Sequence, residues 1–253
     1  MDSVFMEELS WWEIKQAMEQ GVDTVLICAS SQEQHGPHLA ENTDYMIGRA
    51  VCQRVAQRLG NTLVAPLIRP GLSNHHMEHP GSLTLRPEIF RGIVEDYVAC
   101  YVKHGFRNIL LCSSHGGNFS TMEDLEKDLN GKYPGVRILN TINLAAFRGM
   151  CEEADHRFHF QDGVCGGHAC CLETSIMLFL HPEYVTMERA VPGLVDADRE
   201  GVAMQLFREG MPTLSPCGII GDPTPATAEM GQIFLEMFCD IVLQTARKKL
   251  GKA

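Results

Sequence analysis

Apolar runs alternate along the chain with amphipathic stretches closed by glycine, and together they divide it into strands and helices. Residues 9–20 place Trp11, Trp12, Ile14 and Met18 on a helical stripe, with Ser10 set to cap it and Gly21 to end it. Residues 24–29 form a continuous apolar run short enough for a buried strand. Residues 45–59 repeat Ile47, Val51 and Val55 at helical spacing and stop at Gly60, and 62–68 read as the next strand. Strand, loop, helix and strand in that order make a βαβ unit, the building block of a parallel sheet.

The same alternation continues downstream. Residues 71–81 are a loop rich in Gly, Pro and His, extended through 82–85. Pro87 stands where a first helical residue is favoured, and 89–103 carry a helical period closed by Gly105. A third strand at 108–112 ends in the polar Ser113-Ser-His-Gly-Gly-Asn118, which leads into a helix at 119–129. Residues 136–140 read as a fourth strand. Residues 149–163, acidic and histidine-containing, are assigned as loop, and 185–210 are weakly patterned. Between them the glycine-rich 166–175 turn into an apolar helix at 176–180, and a turn-rich loop at 218–228 precedes a long closing helix at 227–250. No repeat, low-complexity tract or linker interrupts the chain, so the expectation is a single α/β domain over residues 1–253.

Composition adds mainly exclusions. An apolar content of 45% with 21% charged residues is ordinary for a globular protein; it excludes disorder and names no function. A formal net charge of -11 disfavours nucleic acid, whose phosphates need a basic face. The opening residues lack the basic start and apolar core of a secretory signal, and no apolar run is long enough to cross a bilayer. The default expectation is a cytoplasmic protein with no membrane partner. The ten cysteines are scattered with no C-x-x-C pair, which predicts reduced, mostly buried thiols and argues against a tetrahedral cysteine zinc site.

The densest chemistry lies in Glu33-Gln-His-Gly-Pro-His-Leu-Ala-Glu-Asn-Thr-Asp44. It follows the first strand directly, at the edge where open α/β sheets bind ligands. On an extended backbone Glu33 and His35 face one side, and Gly36-Pro37 bends the chain so that Asp44 returns toward them. Carboxylate, imidazole and carboxylate converging on one point suit a divalent metal; the alternative is a polar loop of solvated charges. Downstream partners favour the metal. His115 follows the third strand as Glu33 follows the first, and His168 and Glu173 lie near one another in the glycine-rich entry to a later helix.

Taken in order, E-Q-H-G-P-H with the later T-D, S-S-H-G-G-N, G-G-H-A-x-x-L-E-T-S and G-D-P-T resemble the creatininase (creatinine amidohydrolase-like) family, over most of the chain. The resemblance implies a creatininase-like three-layer fold, a mainly parallel sheet sandwiched between helices, with two divalent metal ions at the strand ends. Carried onto this chain, Glu33, Asp44 and His115 hold one metal, and His35 with a bridging Asp44 the other. In creatininase a glutamate lies two residues after the histidine matching His115; here that position is Gly117, and Glu173 is the replacement ligand. Two ions roughly 3.5–4 Å apart share a hydroxide and polarise a carbonyl, so the implied reaction is amide hydrolysis. His168 matches the family's catalytic histidine and would protonate the departing nitrogen; its other reading is a histidine that orients Glu173. Zinc is the first expectation, and manganese or iron(II) suits the same oxygen and nitrogen donors.

Smaller expectations complete the site. Ser73 is read as a substrate contact, as are Gly116 and Gly117, whose N–H groups suit an anionic oxygen. His38 supports the ligands from behind, Asn118 fixes the H-G-G turn, and Asp222-Pro223 forms a structural turn. His75, His76, Glu78 and His79 are read either as contacts to substrate or a neighbouring subunit, or as inert loop residues. The aromatic residues that line creatininase's pocket are missing, their places taken by Gly116 and Val164, which argues against creatinine as substrate. The expected activity is cleavage of a non-peptide C–N bond in a small amide, open or cyclic. The alternatives are a formamide hydrolase (deformylase) acting on a pyrimidine-type substrate and a non-catalytic metal-dependent binding module. The resemblance also implies a homo-oligomer, a homohexamer.

Overall fold

The computed structural model describes residues 3–251. Among them, β1 (Thr24–Ala29), β2 (Thr62–Val64), β3 (Asn108–Ser113) and β4 (Arg137–Asn140) form one parallel sheet in the order β2-β1-β3-β4. Every residue of β1 and β3 is buried, which is why both read as unbroken apolar runs. Alternate side chains still point to opposite faces. Val25, Ile27, Ala29, Ile109 and Leu111 pack with α1 (Trp11–Glu19), α3 (Pro87–His104) and α4 (Phe119–Leu129). Leu26, Cys28, Leu110 and Cys112 pack on the other side with α2 (Thr43–Leu59), α5 (Leu144–Phe158), α6 (Cys171–Leu180) and α9 (Ala228–Leu250). The outcome is a three-layer α/β fold. A small satellite core joins α7 (Arg199–Glu209) and α8 (Met211–Leu214) to Ile220.

The winding of the sheet decides where a site can form. From β1 the chain runs through α2 to β2 on one side, then through α3 to β3 on the other. Winding therefore reverses between β1 and β3, and the crevice outside their carboxyl ends is open to a ligand.

Several elements differ from the sequence expectation for physical reasons. Ser10 and Glu13 form a capping box on α1, but Trp11 and Trp12 are 76% and 53% exposed; Ala17, with Leu9, Ile14 and Met18, makes the packed face. β2 stops at Val64, short of residue 68, because Pro66 has no N–H for the ladder. Pairing resumes at Ile68, which donates to Cys28 O and accepts from Ser30 N–H. The largest correction concerns residues 149–163, most of which are helical as part of α5. Asn143 caps that helix by accepting from Ala146 N–H, and Phe147, Met150, Cys151 and Ala154 bury one face. Their spacing is lost to a window that opens at Gly149. The weakly patterned 185–210 contains α7, capped by Asp198. No helix among the described residues is long and apolar enough to cross a membrane.

α9 starts at a Thr227 cap and crosses α6 so closely that a Cβ on Gly231 would lie 1.9 Å from Ser175 O. This crossing fixes α6, whose first turn carries Glu173. Gly231→Ala should therefore overpack the contact and cost about 1–3 kcal/mol or more. Gly92→Ala, in α3 with nothing within 4 Å of the new Cβ, should instead stabilise by about 0.5–1 kcal/mol. Denaturant midpoints of the two variants should move in opposite directions.

Candidate metal centre

The loop after β1 folds back on itself through Glu33 N–H to Glu41 O. Gly36, at φ +65, makes the turn, and a Cβ there would strike Ile219 at 2.7 Å. α2 then begins at Thr43, so Asp44 in its first turn returns over Glu33 and His35. β3 delivers His115 from the neighbouring strand end, and α6 delivers Glu173. Exposure of these side-chain donors is 1% for Glu33, 0% for His35, 2% for Asp44, 3% for His115 and 5% for Glu173.

Asp44 stands between two imidazoles. Its Oδ1 is 3.4 Å from His35 Nε2 and its Oδ2 is 3.3 Å from His115 Nδ1. Glu33 Oε1 lies 3.1 Å from His115 Nδ1, and Glu173 Oε2 lies 3.8 Å from His35 Nε2. Each ring's far nitrogen is tied to a main-chain carbonyl: His35 Nδ1 donates to Glu33 O at 3.1 Å and His115 Nε2 to Leu72 O at 3.0 Å. Those donations select the tautomer that leaves the inward nitrogen's lone pair free. His35 Nε2 and Asp44 Oδ2 are buried without a hydrogen-bond partner. Such atoms demand a compensating charge or ligand.

The electrostatics carry the same demand. Burial alone would pull His35 down, but Asp44, then Glu173 and Glu33, push it up to about 10. His115 is raised against its burial by Glu33 and Asp44. Burial works against ionising Glu33, yet His115 and His76 hold it well below the carboxylate range. Burial lifts Glu173 to about 7, with His35 opposing and Asp44 adding. Buried carboxylates and imidazoles aimed at common points form a donor set that fits divalent cations.

Around this cluster the other candidates take distinct places. His168 Nδ1 is 3.7 Å from Glu33 Oε1, and its ring lies 4.4 Å from His76 and 4.5 Å from His35. Its Nε2 lies 2.9 Å from Gln34 O and 2.8 Å from Gln34 Nε2, donating to the first or accepting from the second according to tautomer. Burial, with the charge on His35, holds it down to about 3, so the ring is neutral at rest. Glu173 is oriented by Ala169 rather than by His168: its Oε2 accepts from Ala169 N–H at 2.6 Å, from a left-handed backbone at φ 53. His38 bonds Thr174 Oγ1 at 2.8 Å, beside Glu173. Asn118 accepts from Leu72 N–H and donates to Ser30 O, tying two loops together. Asp222 closes a turn by accepting from Thr224 N–H.

Ser73 is a correction. It is fully buried behind His115, bonded to Ser31 Oγ and 3.3 Å from His115 Nε2, and it lines no part of the cavity. Gly116, Gly117, His75 and His76 do line it, whereas Glu78 is exposed elsewhere and His79 lies outside its wall. A Cβ on Gly117 would lie 2.2 Å from Leu72 O and 2.5 Å from His115 Nε2, so glycine is what permits the bond that orients His115. A glutamate does not fit there.

Two supports were not singled out in the sequence. Gln34 donates to His76 Nδ1 at 2.9 Å and to Gly218 O at 3.1 Å, and accepts from Gly36 N–H. Asp155 accepts from Gly163 and Cys165 N–H groups and pairs with Arg199, bracing the loop that carries His168. The available signal was an acidic residue on the buried face of α5, legible only once that helix is recognised. Separately, Cys28, Cys52 and Cys112 meet in the core with sulfurs within 4.8 Å of one another, an all-thiol group that scattered spacing did not reveal.

A parallel α/β sheet with a buried carboxylate–imidazole centre at its winding reversal defines the class to which this molecule belongs. The chain is a member of the creatininase family: the family model described as creatinine amidohydrolase matches residues 7–245. It is 32% identical over 236 residues to the mycofactocin precursor peptide peptidase of Mycobacterium ulcerans, spanning 88% of this chain and 85% of that one. It is 26% identical over 259 residues to the creatinine amidohydrolase of Pseudomonas putida, spanning 98% and 97%. A structure named "Creatininase Mn" superposes with a TM-score of 0.73 at 25% identity, covering 98% of both chains. The family is hydrolytic, and these relatives are amidohydrolases or peptidases.

Two predictions follow from the site's charges. Titrating Zn2+ or Mn2+ into the metal-stripped protein should release protons and bind more weakly as pH falls. His35, raised to about 10, is protonated near neutrality and must lose that proton to coordinate. Calorimetry in buffers of unequal ionisation enthalpy reads the release, and uptake without proton exchange contradicts it. Asp155→Asn leaves Arg199 buried without its counter-charge and should lower stability by about 3–5 kcal/mol, read from denaturant unfolding.

Proposed function

We propose that this protein is a dinuclear metal-dependent amidohydrolase that cleaves a non-peptide C–N bond in a small amide. The observation that carries the reading is Asp44, placed between the inward nitrogens of two imidazoles. Glu33, Asp44 and His115 would hold one ion, and Asp44, His35 and Glu173 the other. When bound, such ions lower the pKa of water and polarise an amide carbonyl.

The chain's own residues supply positioning and proton transfer. His168 Nε2 is held by Gln34, which turns Nδ1 toward the Glu33 side of the cluster. In the tautomer whose Nε2–H is donated to Gln34 O, the neutral ring takes up at Nδ1 the proton lost as the attacking oxygen adds. It then gives that proton to the departing nitrogen, a poor leaving group without it. The N–H groups of Gly116 and Gly117 at the cavity wall suit the negative charge that develops on the carbonyl oxygen. Phe147, Val202 and Leu206 add apolar surface to the opposite wall, beside Arg148 and Arg199.

A second reading rests on the 32%-identical relative, named a peptide peptidase, and extends the substrate to a peptide bond. One set of measurements separates the readings. The purified protein should carry close to two equivalents of Zn, Mn or Fe, and Asp44→Asn should lower both metal content and turnover, the latter by about 10³-fold or more. Absence of bound metal under every loading condition would sink the proposal. On a substrate panel, formate from N-formyl aminopyrimidines alone identifies a formamide hydrolase, and peptide cleavage alone identifies a peptidase. Ligand binding with no product from the loaded protein identifies a binding module.

A further inference from the structure

The cavity over Glu33, His115 and His168 is walled on its far side by two helices. α5 turns Phe147, Arg148 and Cys151 into it, and α7 turns Arg199, Val202 and Leu206. The two arginines are used differently. Arg199 is 7% exposed and committed to Asp155. Arg148 has a side chain 23% exposed, and among the described residues its guanidinium makes no hydrogen bond; its ion-pair partner is Glu200 Oε2, at 3.7 Å. Glu200 is itself 71% exposed, so the pair is solvated, loosely held and of little energetic weight. A planar fork of N–H donors thus faces the same cavity as the metal-type donors, with an acidic side chain already resting near it. Such a fork matches the two oxygens of a carboxylate or a phosphate with parallel hydrogen bonds.

We infer that Arg148 anchors an oxyanion on the substrate, a carboxylate or a phosphate, which displaces Glu200 while the scissile amide lies over the Glu33–Asp44–His115 cluster. This rests on the amidohydrolase reading and narrows it to acyclic or cyclic amides with an acidic end. Glu200 competes with the substrate for the same cation. The two residues therefore have opposite effects, which a pair serving only to brace α5 against α7 does not produce.

The test is equilibrium binding by calorimetry to the metal-loaded full-length protein, with three probes: N-acetylglycine, N-acetylglycinamide and N-acetyl-O-phosphoethanolamine. The wild type should prefer the carboxylate or the phosphate probe over the neutral amide by about 10- to 100-fold, and whichever charged probe leads identifies the anion. Arg148→Met should abolish that preference, Arg148→Lys should retain part of it, and Glu200→Gln should tighten the charged probe several-fold. Equal binding of charged and neutral probes, or no binding of the charged ones, overturns the inference. So does a preference that survives Arg148→Met, or a loss common to Arg148→Met and Glu200→Gln. Hydrolysis of the probes is scored separately. Turnover without charge preference defeats the anchor alone, and charge preference without turnover of any amide defeats the amidohydrolase reading alone.

Discussion

Glu33, Asp44 and Glu173 share one enclosure with at most 5% exposure, and carboxylates so placed are tolerated only where positive charge compensates the lost water. That constraint organises the structure. It accounts for His35 and His115, both pushed upward in pKa against their own burial. It also sets what the fold must deliver: two adjacent strand ends and the first turns of two helices, meeting at one point. The reversal of winding between β1 and β3 provides the point, and α2 and α6 begin beside it.

Behind the donors lies a layer that controls direction rather than charge. Leu72 O and Glu33 O each take a ring N–H, so lone pairs on two histidines face inward. Gly117 keeps Leu72 O within reach, and Asn118 holds the Leu72 loop to the end of β1. Ala169, in a left-handed conformation that a non-glycine residue adopts only under constraint, aims its N–H at Glu173. The donor cluster is thus oriented here by main-chain groups as much as by side chains.

Much of this was legible in the chain because the relevant signals are local. β1 and β3 announce themselves as apolar runs, being buried on both faces; Glu33, His35 and His115 follow them within a few residues, and Asp44 comes in the first turn of the next helix. Glu173 and His168 sit in or just after the glycine-rich entry to a helix. What stayed hidden depends on contacts between distant residues. Ser73 was read as a substrate contact, yet its hydroxyl meets Ser31 and His115 across 42 residues each way. Asp155 needs Arg199, 44 residues on, before its burial makes sense. α5 and α7 bury only narrow stripes, interrupted by Gly149 and by charged residues, so their periods are faint. These two helices form the outer wall of the cavity, which was therefore its least readable part.

We propose that the cluster around Asp44 holds two divalent ions. Anomalous diffraction from crystals loaded with zinc or manganese tests it most directly. The account predicts two peaks flanking Asp44, one shared with Glu33 and His115 and one with His35 and Glu173. No peak at the cluster, or a peak confined to Cys28, Cys52 and Cys112, would contradict it.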